Sequence, residues 1–117
     1  KKNNTEFKIW GDGTPLRQFV HSDDMATLIY NSITDWNSSE HLMLVDKEEI
    51  SVKQIADIII NKFQIPDNLV SFDSTKPKGQ FRKPAVSDVP YYKFKSITNG
   101  IHETIDWFVD NYNTLRK

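Results

Sequence analysis

The sequence predicts an α/β fold in which short strands alternate with about three main helices. Apolar residues recur at helical spacing in three segments of the 117-residue chain, and strand-like runs lie between these segments. Glycine and proline clusters mark the turns. With 38% hydrophobic and 12% aromatic residues, the chain has enough apolar side chains for a core, so we expect it to fold.

Three short strands are predicted. The first, at residues 5–10, alternates apolar and polar side chains around Phe7 and Ile9. Brief apolar runs at 42–45 and 69–72 predict the other two. Because these runs are short, we expect small sheets rather than one large one.

Each of the three helices has a predicted start. Ser22 is predicted to cap the first, Ser51 and Gln54 to form a capping box on the second, and Ser96 or Thr98 to cap the third. The second and third helices have apolar faces at Val52, Ile55, Ala56, Ile59, Phe63, Ile101, Ile105, Phe108 and Tyr112. Because such faces need a partner surface, we expect the chain to be marginally stable alone.

Composition excludes several classes of protein. A net charge of -1 argues against a general nucleic-acid binder. The absence of cysteine excludes a disulfide scaffold, a thiolate zinc site and a cysteine nucleophile, and it fits a reducing compartment. No run of 18 apolar residues could span a membrane. Because the chain opens at Lys1 without a methionine, we interpret it as a fragment or a processed product.

A first candidate site lies at residues 10–17. Gly11 and Gly13 would let the backbone approach a ligand, Trp10 offers a flat apolar face, and Arg17 offers a fork of donors for phosphate. The alternative is a tight turn beside a core tryptophan. The segment is not a dinucleotide fingerprint, because leucine stands at position 16, where the third glycine is expected.

A second candidate site is the segment 76–84, which we call the basic loop. It holds four cations, Lys76, Lys78, Arg82 and Lys83, and its glycine and prolines predict irregular structure. Such a loop could bind a diphosphate, or it could simply be solvated. Phe81 could stack on a base, but the neutral overall charge makes RNA binding a minority alternative.

Two further patterns favour structural roles. His21, Asp23 and Asp24 could suggest acid–base or metal chemistry, but helix capping explains them better. Tyr91 and Lys95 have the spacing of a short-chain dehydrogenase pair, but the neighbouring proline argues against a helix there. We therefore predict packing by the tyrosine and an exposed lysine.

Taken together, the segments resemble one family. Residues 10–19 are similar to its Trp-Gly-x-Gly-x-Pro-x-Arg-x-Phe run, and residues 21–26 follow at the expected place. Residues 72–83 match a second, more specific segment, and residues 103–112 resemble the terminal helix. This family is the GDP-L-fucose synthases, which are extended short-chain dehydrogenases/reductases. Many sugar-nucleotide epimerases share the first run in a looser form.

The resemblance implies that residues 1–117 are the C-terminal substrate-binding domain of a two-domain enzyme. The missing N-terminal Rossmann domain would bind NADPH and carry the catalytic residues, so we expect no catalytic, cofactor or metal residue here and no activity from this part alone. The family epimerises GDP-4-keto-6-deoxymannose and then reduces it with NADPH to GDP-L-fucose. A GDP-sugar substrate, a homodimer and a cytoplasmic location are therefore expected, with no nucleic-acid or membrane partner.

Four substrate-binding residues follow from positions in the family pattern. Trp10 would contact the nucleotide-sugar, and Arg17 and Lys83 would face phosphate or sugar oxygens. Lys78 stands where the family usually has aspartate, so any contact that it makes must differ from the usual one.

Two alternatives stay open. Another extended dehydrogenase, such as a UDP-sugar 4-epimerase or a GDP-mannose dehydratase, would share the first run, but residues 72–83 argue against it. A stand-alone module that binds sugar nucleotides or RNA is the alternative from a different class, and RNA binding would weaken strongly with salt.

Overall fold

The computed structural model describes residues 5–116, so residues 1–4 and 117 of the predicted domain lie outside the described part. The elements are β1 (Phe7–Trp10), β2 (Leu16–Arg17), α1 (Ser22–Asp35), β3 (Ile50–Ser51), α2 (Val52–Phe63), a 3-10 turn (Asp67–Leu69), β4 (Val70–Asp73) and α3 (Ile97–Asn111). The predicted α/β class, with short strands and three main helices, is confirmed.

The strands form two small sheets. β1 and β4 pair in parallel, with Phe7 opposite Val70 and Trp10 opposite Asp73. Parallel neighbours need a crossover, and here the chain passes through α1 and α2 between them. β2 and β3 pair antiparallel, with Leu16 opposite Ser51. The first strand of each sheet therefore lies within residues 7–17, which include the first candidate site.

The strands predicted at residues 5–10 and 69–72 are present as β1 and β4. The strand predicted at residues 42–45 is wrong. Residues 42–45 form no strand. There, the Met43 N–H donates to Asp88 Oδ2 at 2.7 Å, and the Asp88 N–H donates to the Met43 carbonyl at 3.0 Å. This apolar run pairs with an irregular segment instead of a strand. β2 and β3 were not predicted, because two residues each are too few to show a period.

Two of the three predicted helix caps are confirmed. Ser51 Oγ accepts from the Gln54 N–H at 3.1 Å, while Gln54 Oε1 accepts from the Ser51 N–H at 3.0 Å, which completes the capping box. Ser96 caps α3. Ser22 does not cap α1; it is the first helical residue, and His21 Nδ1 accepts the hydrogen bond from the N–H two residues on. The His21 imidazole is thus the N-cap acceptor, a role that a serine hydroxyl usually has.

The core is small and lies mostly between α2 and α3. The buried apolar residues are Leu28, Ile50, Ala56, Val89, Ile97 and Ile105. No large side chain among the described residues is completely enclosed. α1 contributes little to this core, since Leu28 is its one buried apolar residue. Most of its remaining apolar surface is free to contact something else.

A buried carboxylate fastens α1 to the segment before α3. Asp24 is 9% exposed. It accepts a hydrogen bond from the Tyr92 hydroxyl at 2.9 Å and from the Lys95 backbone N–H at 2.8 Å. The hydrogen bond to Asp24 raises the pKa of the Tyr92 phenol, so this tyrosine stays protonated. Asp24 is thus a structural acceptor rather than part of a site with His21.

The chain leaves more surface exposed than a compact protein of its size. Its accessible area is 9057 Å², whereas a compact monomer of 13.6 kDa would expose roughly 6,600 Å². Its radius of gyration is 17.1 Å, against about 13 Å for a compact domain of similar length. On α1, Ile29, Tyr30 and Ile33 are 49%, 72% and 76% exposed. Their spacing makes a second apolar helix face, typical of a helix that packs on another body.

Within residues 5–116, the helices are too short and too polar to cross a membrane.

We expect Asp24→Ala to lower the free energy of unfolding by about 1–3 kcal/mol, because the Lys95 N–H and the Tyr92 hydroxyl lose their acceptor. Urea denaturation followed by far-UV circular dichroism measures this change. Asp110→Ala, at an exposed position of α3, is the matched control and should stay within about 0.5 kcal/mol of the unsubstituted chain. Equal effects of the two substitutions would contradict the anchoring role of Asp24.

We also expect the 117-residue chain alone to unfold near room temperature and to bind a hydrophobic dye, because its helix faces are uncovered. Calorimetry and dye fluorescence test this. A sharp cooperative transition well above room temperature, without dye binding, would show that the small core is sufficient.

Candidate functional site

The two glycines of the first candidate site allow close packing within the protein. Gly11 and Gly13 have φ values of 84° and 77°, in the region that favours glycine. A Cβ atom on Gly11 would lie 2.7 Å from Lys78 Cβ, and one on Gly13 would lie 2.7 Å from a Phe72 ring carbon. The turn therefore packs directly against the basic loop and β4, and the structural alternative accounts for both glycines.

β2 holds the basic loop in register with the first candidate site. The Leu16 N–H donates to the Phe81 carbonyl at 2.8 Å, and Leu16 forms a parallel bridge with Arg82. Arg17 and Lys83 each follow one residue later. Since paired backbones lie about 4.8 Å apart, the bridge brings the backbones of these two residues next to each other. The structure thus joins the two candidate sites into one surface.

The Arg17 guanidinium faces the basic loop. Its Nη1 donates to the Leu16 carbonyl at 2.7 Å. A Cβ atom on Gly79 would lie 3.7 Å from Arg17 Nη2, so the guanidinium lies over this glycine. A Cβ atom there would be in ordinary van der Waals contact with the guanidinium, but any other residue at 79 would be strained, since Gly79 has a φ of 73°. The side chain is half-buried, which limits its freedom without covering the remaining donors.

Trp10 lies at the carboxyl end of β1 and is 65% exposed. The Lys76 ammonium lies 5.8 Å from the centre of its ring, within the range of a cation–π contact. An indole so exposed offers a flat apolar face next to positive charge. The alternative of a core tryptophan is wrong.

The cations of the surface fall into two groups. Lys78 Nζ pairs with Asp12 Oδ2 at 2.9 Å, and the Arg82 guanidinium binds both carboxylate oxygens of Glu49, with Nε to Oε1 at 2.8 Å. Over residues 5–116, no carboxylate forms an ion pair with Arg17, Lys76 or Lys83; these three cations are available to an anionic ligand.

The paired carboxylates stay ionised near neutral pH. The Thr14 hydroxyl and then Lys78 lower the pKa of Asp12, and Arg82 lowers the pKa of Glu49 below 4.5. Glu49 in turn raises the pKa of Arg82. A carboxyl with a lowered pKa contributes fully above its unfolded value and loses its contribution as the pH falls through its folded value. Both ion pairs therefore persist below the ordinary carboxyl pKa, and their contribution to stability is fully present above it.

Gln18 is a residue of this surface that sequence reasoning missed. Its Nε2 donates to the Asp46 carbonyl at 2.8 Å and to the Ala85 carbonyl at 3.1 Å, and its Oε1 accepts from the Ala85 N–H at 2.8 Å. One amide thus ties two distant segments to the end of β2. No pattern in the sequence indicates this role, because the partners are backbone groups 28 and 67 residues away.

The histidine cluster has a structural role. His21, Asp23 and Glu103 lie close enough to suggest a metal site and border a cavity of about 470 Å³. However, the Lys95 ammonium pairs with Glu103 and lies 3.6 Å from Asp23, so it already balances the two carboxylates. Asp24 faces Tyr92 instead. The capping interpretation holds for His21, which caps α1, and for Asp23 in the first turn; it is incomplete for Asp24, which is a buried hydrogen-bond acceptor.

The Tyr91 and Lys95 pair is not a catalytic pair. Residues 91–95 are not helical, as predicted. Tyr91 is 83% exposed, so the prediction that it packs is wrong. The prediction that Lys95 is an exposed lysine is wrong, since its side chain is 25% exposed and ion-paired to Glu103.

Comparison with known proteins finds similarity to one group of enzymes. A sequence model described as the NAD dependent epimerase/dehydratase family matches residues 1–45. The GDP-L-fucose synthase of Dictyostelium discoideum is 36% identical; the match covers 99% of this chain and 38% of that protein. A crystal structure of a GDP-L-fucose synthetase from Naegleria fowleri bound to NADP is 34% identical, with a TM-score of 0.91, and the match covers 99% of this chain and 38% of that one.

More distant structures share the fold alone. A dTDP-glucose 4,6-dehydratase from Streptomyces venezuelae superposes with a TM-score of 0.80 at 18% identity, covering 97% of this chain and 37% of that one. This chain spans less than two fifths of the length of the relatives it matches. It is similar over nearly its whole length to part of the GDP-L-fucose synthases, and its fold matches the C-terminal part of extended short-chain dehydrogenase/reductase folds.

Proposed function

We propose that the chain binds the GDP-sugar in an NADPH-dependent epimerase/reductase that converts GDP-4-keto-6-deoxymannose to GDP-L-fucose. The observation that carries this proposal is the backbone bridge between Leu16 and Arg82, which brings the backbones of Arg17 and Lys83 next to each other. Neither cation has a carboxylate partner in the described residues. Relatives at 36% and 32% identity bear the names GDP-L-fucose synthase and probable GDP-L-fucose synthase, which supports the choice of substrate.

The arrangement suits a nucleoside diphosphate sugar. The guanidinium of Arg17 can donate two parallel hydrogen bonds to phosphate oxygens, and Lys83 adds a compact positive charge beside it. Trp10 offers an apolar face for a flat or puckered ring. Binding energy from a group far from the reacting carbon can position that carbon for reaction.

We propose that this chain is the C-terminal substrate-binding domain and that another part of the enzyme carries the catalytic residues and binds NADPH. Residues 11–16 cannot hold the cofactor as a dinucleotide loop, since Leu16 replaces the third glycine and the turn is filled by protein. When bound elsewhere, NADPH supplies hydride to the keto carbon. The uncovered face of α1 supports docking of a second body. A homodimer and a cytoplasmic location rest on the resemblance alone.

Lys78 completes the proposed site in a lesser role. Asp12 already neutralises its ammonium, so a contact with the diphosphate has to be shared with that ion pair. Where relatives usually carry aspartate, this chain therefore has a lysine whose charge is cancelled locally.

We expect Arg17→Ala in the intact enzyme to raise the KM for the GDP-sugar by roughly tenfold to a hundredfold, which is about 1.5–3 kcal/mol for a charge-assisted contact. Steady-state NADPH oxidation measures the change. Arg116→Ala, at an exposed position after α3, is the control and should leave KM unchanged. An unchanged KM for Arg17→Ala would remove Arg17 from the site.

We expect Lys83→Met to weaken GDP binding more than Lys78→Met does, because Lys83 has no carboxylate partner in residues 5–116 whereas Lys78 has Asp12. Titration calorimetry with GDP compares the two variants. Lys78→Met should also raise the pKa of Asp12. A larger loss of GDP affinity from Lys78→Met than from Lys83→Met would mean that Lys78, and not Lys83, is the main lysine contact of the ligand.

A further inference from the structure

Lys83 lies between two residues, Arg82 and Ala85, that are each held by a side chain from another segment. On one side, Arg82 forms its two-point ion pair with Glu49, whose side chain is 16% exposed. Glu49 immediately precedes β3, and Arg82 bridges to β2 on the edge opposite β3. The ion pair therefore reaches across β2 and holds the basic loop to it.

On the other side, the Gln18 amide holds Ala85. It accepts from the Ala85 N–H at 2.8 Å and donates to the Ala85 carbonyl at 3.1 Å. Its second hydrogen bond from Nε2, to the Asp46 carbonyl at 2.8 Å, prevents the amide from turning away. The backbone is thus fixed both one residue before Lys83 and two residues after it.

We propose that Glu49, Arg82 and Gln18 are positioning residues for the GDP-sugar site, which hold the backbone around Lys83 next to that of Arg17. None of the three has to touch the ligand. Arg82 donates hydrogen bonds to Glu49, and the Gln18 amide forms its hydrogen bonds with backbone groups. This inference rests on the proposed function, since it names what organises that site.

The physical reason is the flexibility of lysine. A lysine ammonium lies at the end of a flexible four-carbon chain, so its mean position depends on where the backbone places the Cα atom. Ordering a mobile segment at the moment of binding reduces affinity, and a segment fixed beforehand avoids this cost. Loss of either anchor should therefore weaken diphosphate binding through Lys83 and not through a contact of its own.

The test is a double-mutant cycle in the intact enzyme, with GDP as the probe and calorimetry as the readout. Glu49→Gln and Gln18→Met are each made with Lys83 present and with Lys83→Met. With Lys83 present, we expect each to raise Kd by roughly three- to thirtyfold. With Lys83→Met, we expect the same substitutions to change Kd by less than about twofold. A purely structural role would give equal factors in both backgrounds.

Charge reversal provides a second test that does not depend on Gln18. Glu49→Arg and Arg82→Glu should each weaken GDP binding, and the double variant should recover most of the loss because the ion pair is rebuilt with opposite polarity. Asp106→Asn, which removes the 2.8 Å ion pair with Lys62 between α2 and α3, is the matched control and should leave Kd unchanged. Circular dichroism identifies any variant that is unfolded.

The outcomes separate the two proposals. If the unsubstituted enzyme does not bind GDP, the proposed function is wrong, and the inference about Glu49, Arg82 and Gln18 is wrong with it. If GDP binds but the losses are the same with and without Lys83, or if charge reversal in folded variants restores nothing, the positioning role alone is overturned.

Discussion

The candidate site depends on the close approach of the turn at residues 11–13 to the basic loop. Gly11 and Gly13 leave no room for a Cβ atom, so the chain can fold back onto Lys78 and Phe72 only because these positions are glycine. This contact brings β2 within hydrogen-bonding distance of Phe81. The glycines thus act on the site indirectly. They allow the backbone pairing that brings Arg17 and Lys83 next to each other along the chain.

Charge pairing decides which cations of that surface can act. The basic loop looks uniformly positive in sequence, but acidic residues from elsewhere neutralise two of its members, Lys78 and Arg82. Neutralising them holds the loop and leaves Arg17, Lys76 and Lys83 without a carboxylate partner in the described residues. So few available cations suit a small doubly charged anion better than an extended polyanion, which needs many basic residues.

Sequence reasoning was strongest where a signal is local. The Ser51–Gln54 box and the apolar period of α2 and α3 depend on neighbours within one or two turns, and the structure confirms them. It was weak where the partner is distant. β2 and β3 exist as strands because they pair with each other, and the role of Gln18 depends on its hydrogen bonds to backbone groups far along the chain. The resemblance supplied Arg17 and Lys83 as members of one site, and the bridge at Leu16 supplies the reason that they are neighbours.

The openness of the surface has a consequence for how a ligand would be held. Binding sites for small molecules usually enclose most of the ligand, yet Trp10 is 65% exposed and Lys83 lies on the outside of its loop. One wall is therefore present, and the opposite wall has to come from another body. α1 starts four residues after Gln18 and carries an uncovered apolar face at Ile29 and Ile33. That face is where such a body can dock, and the short connection from Gln18 to Ser22 links α1 to the strand that carries Arg17.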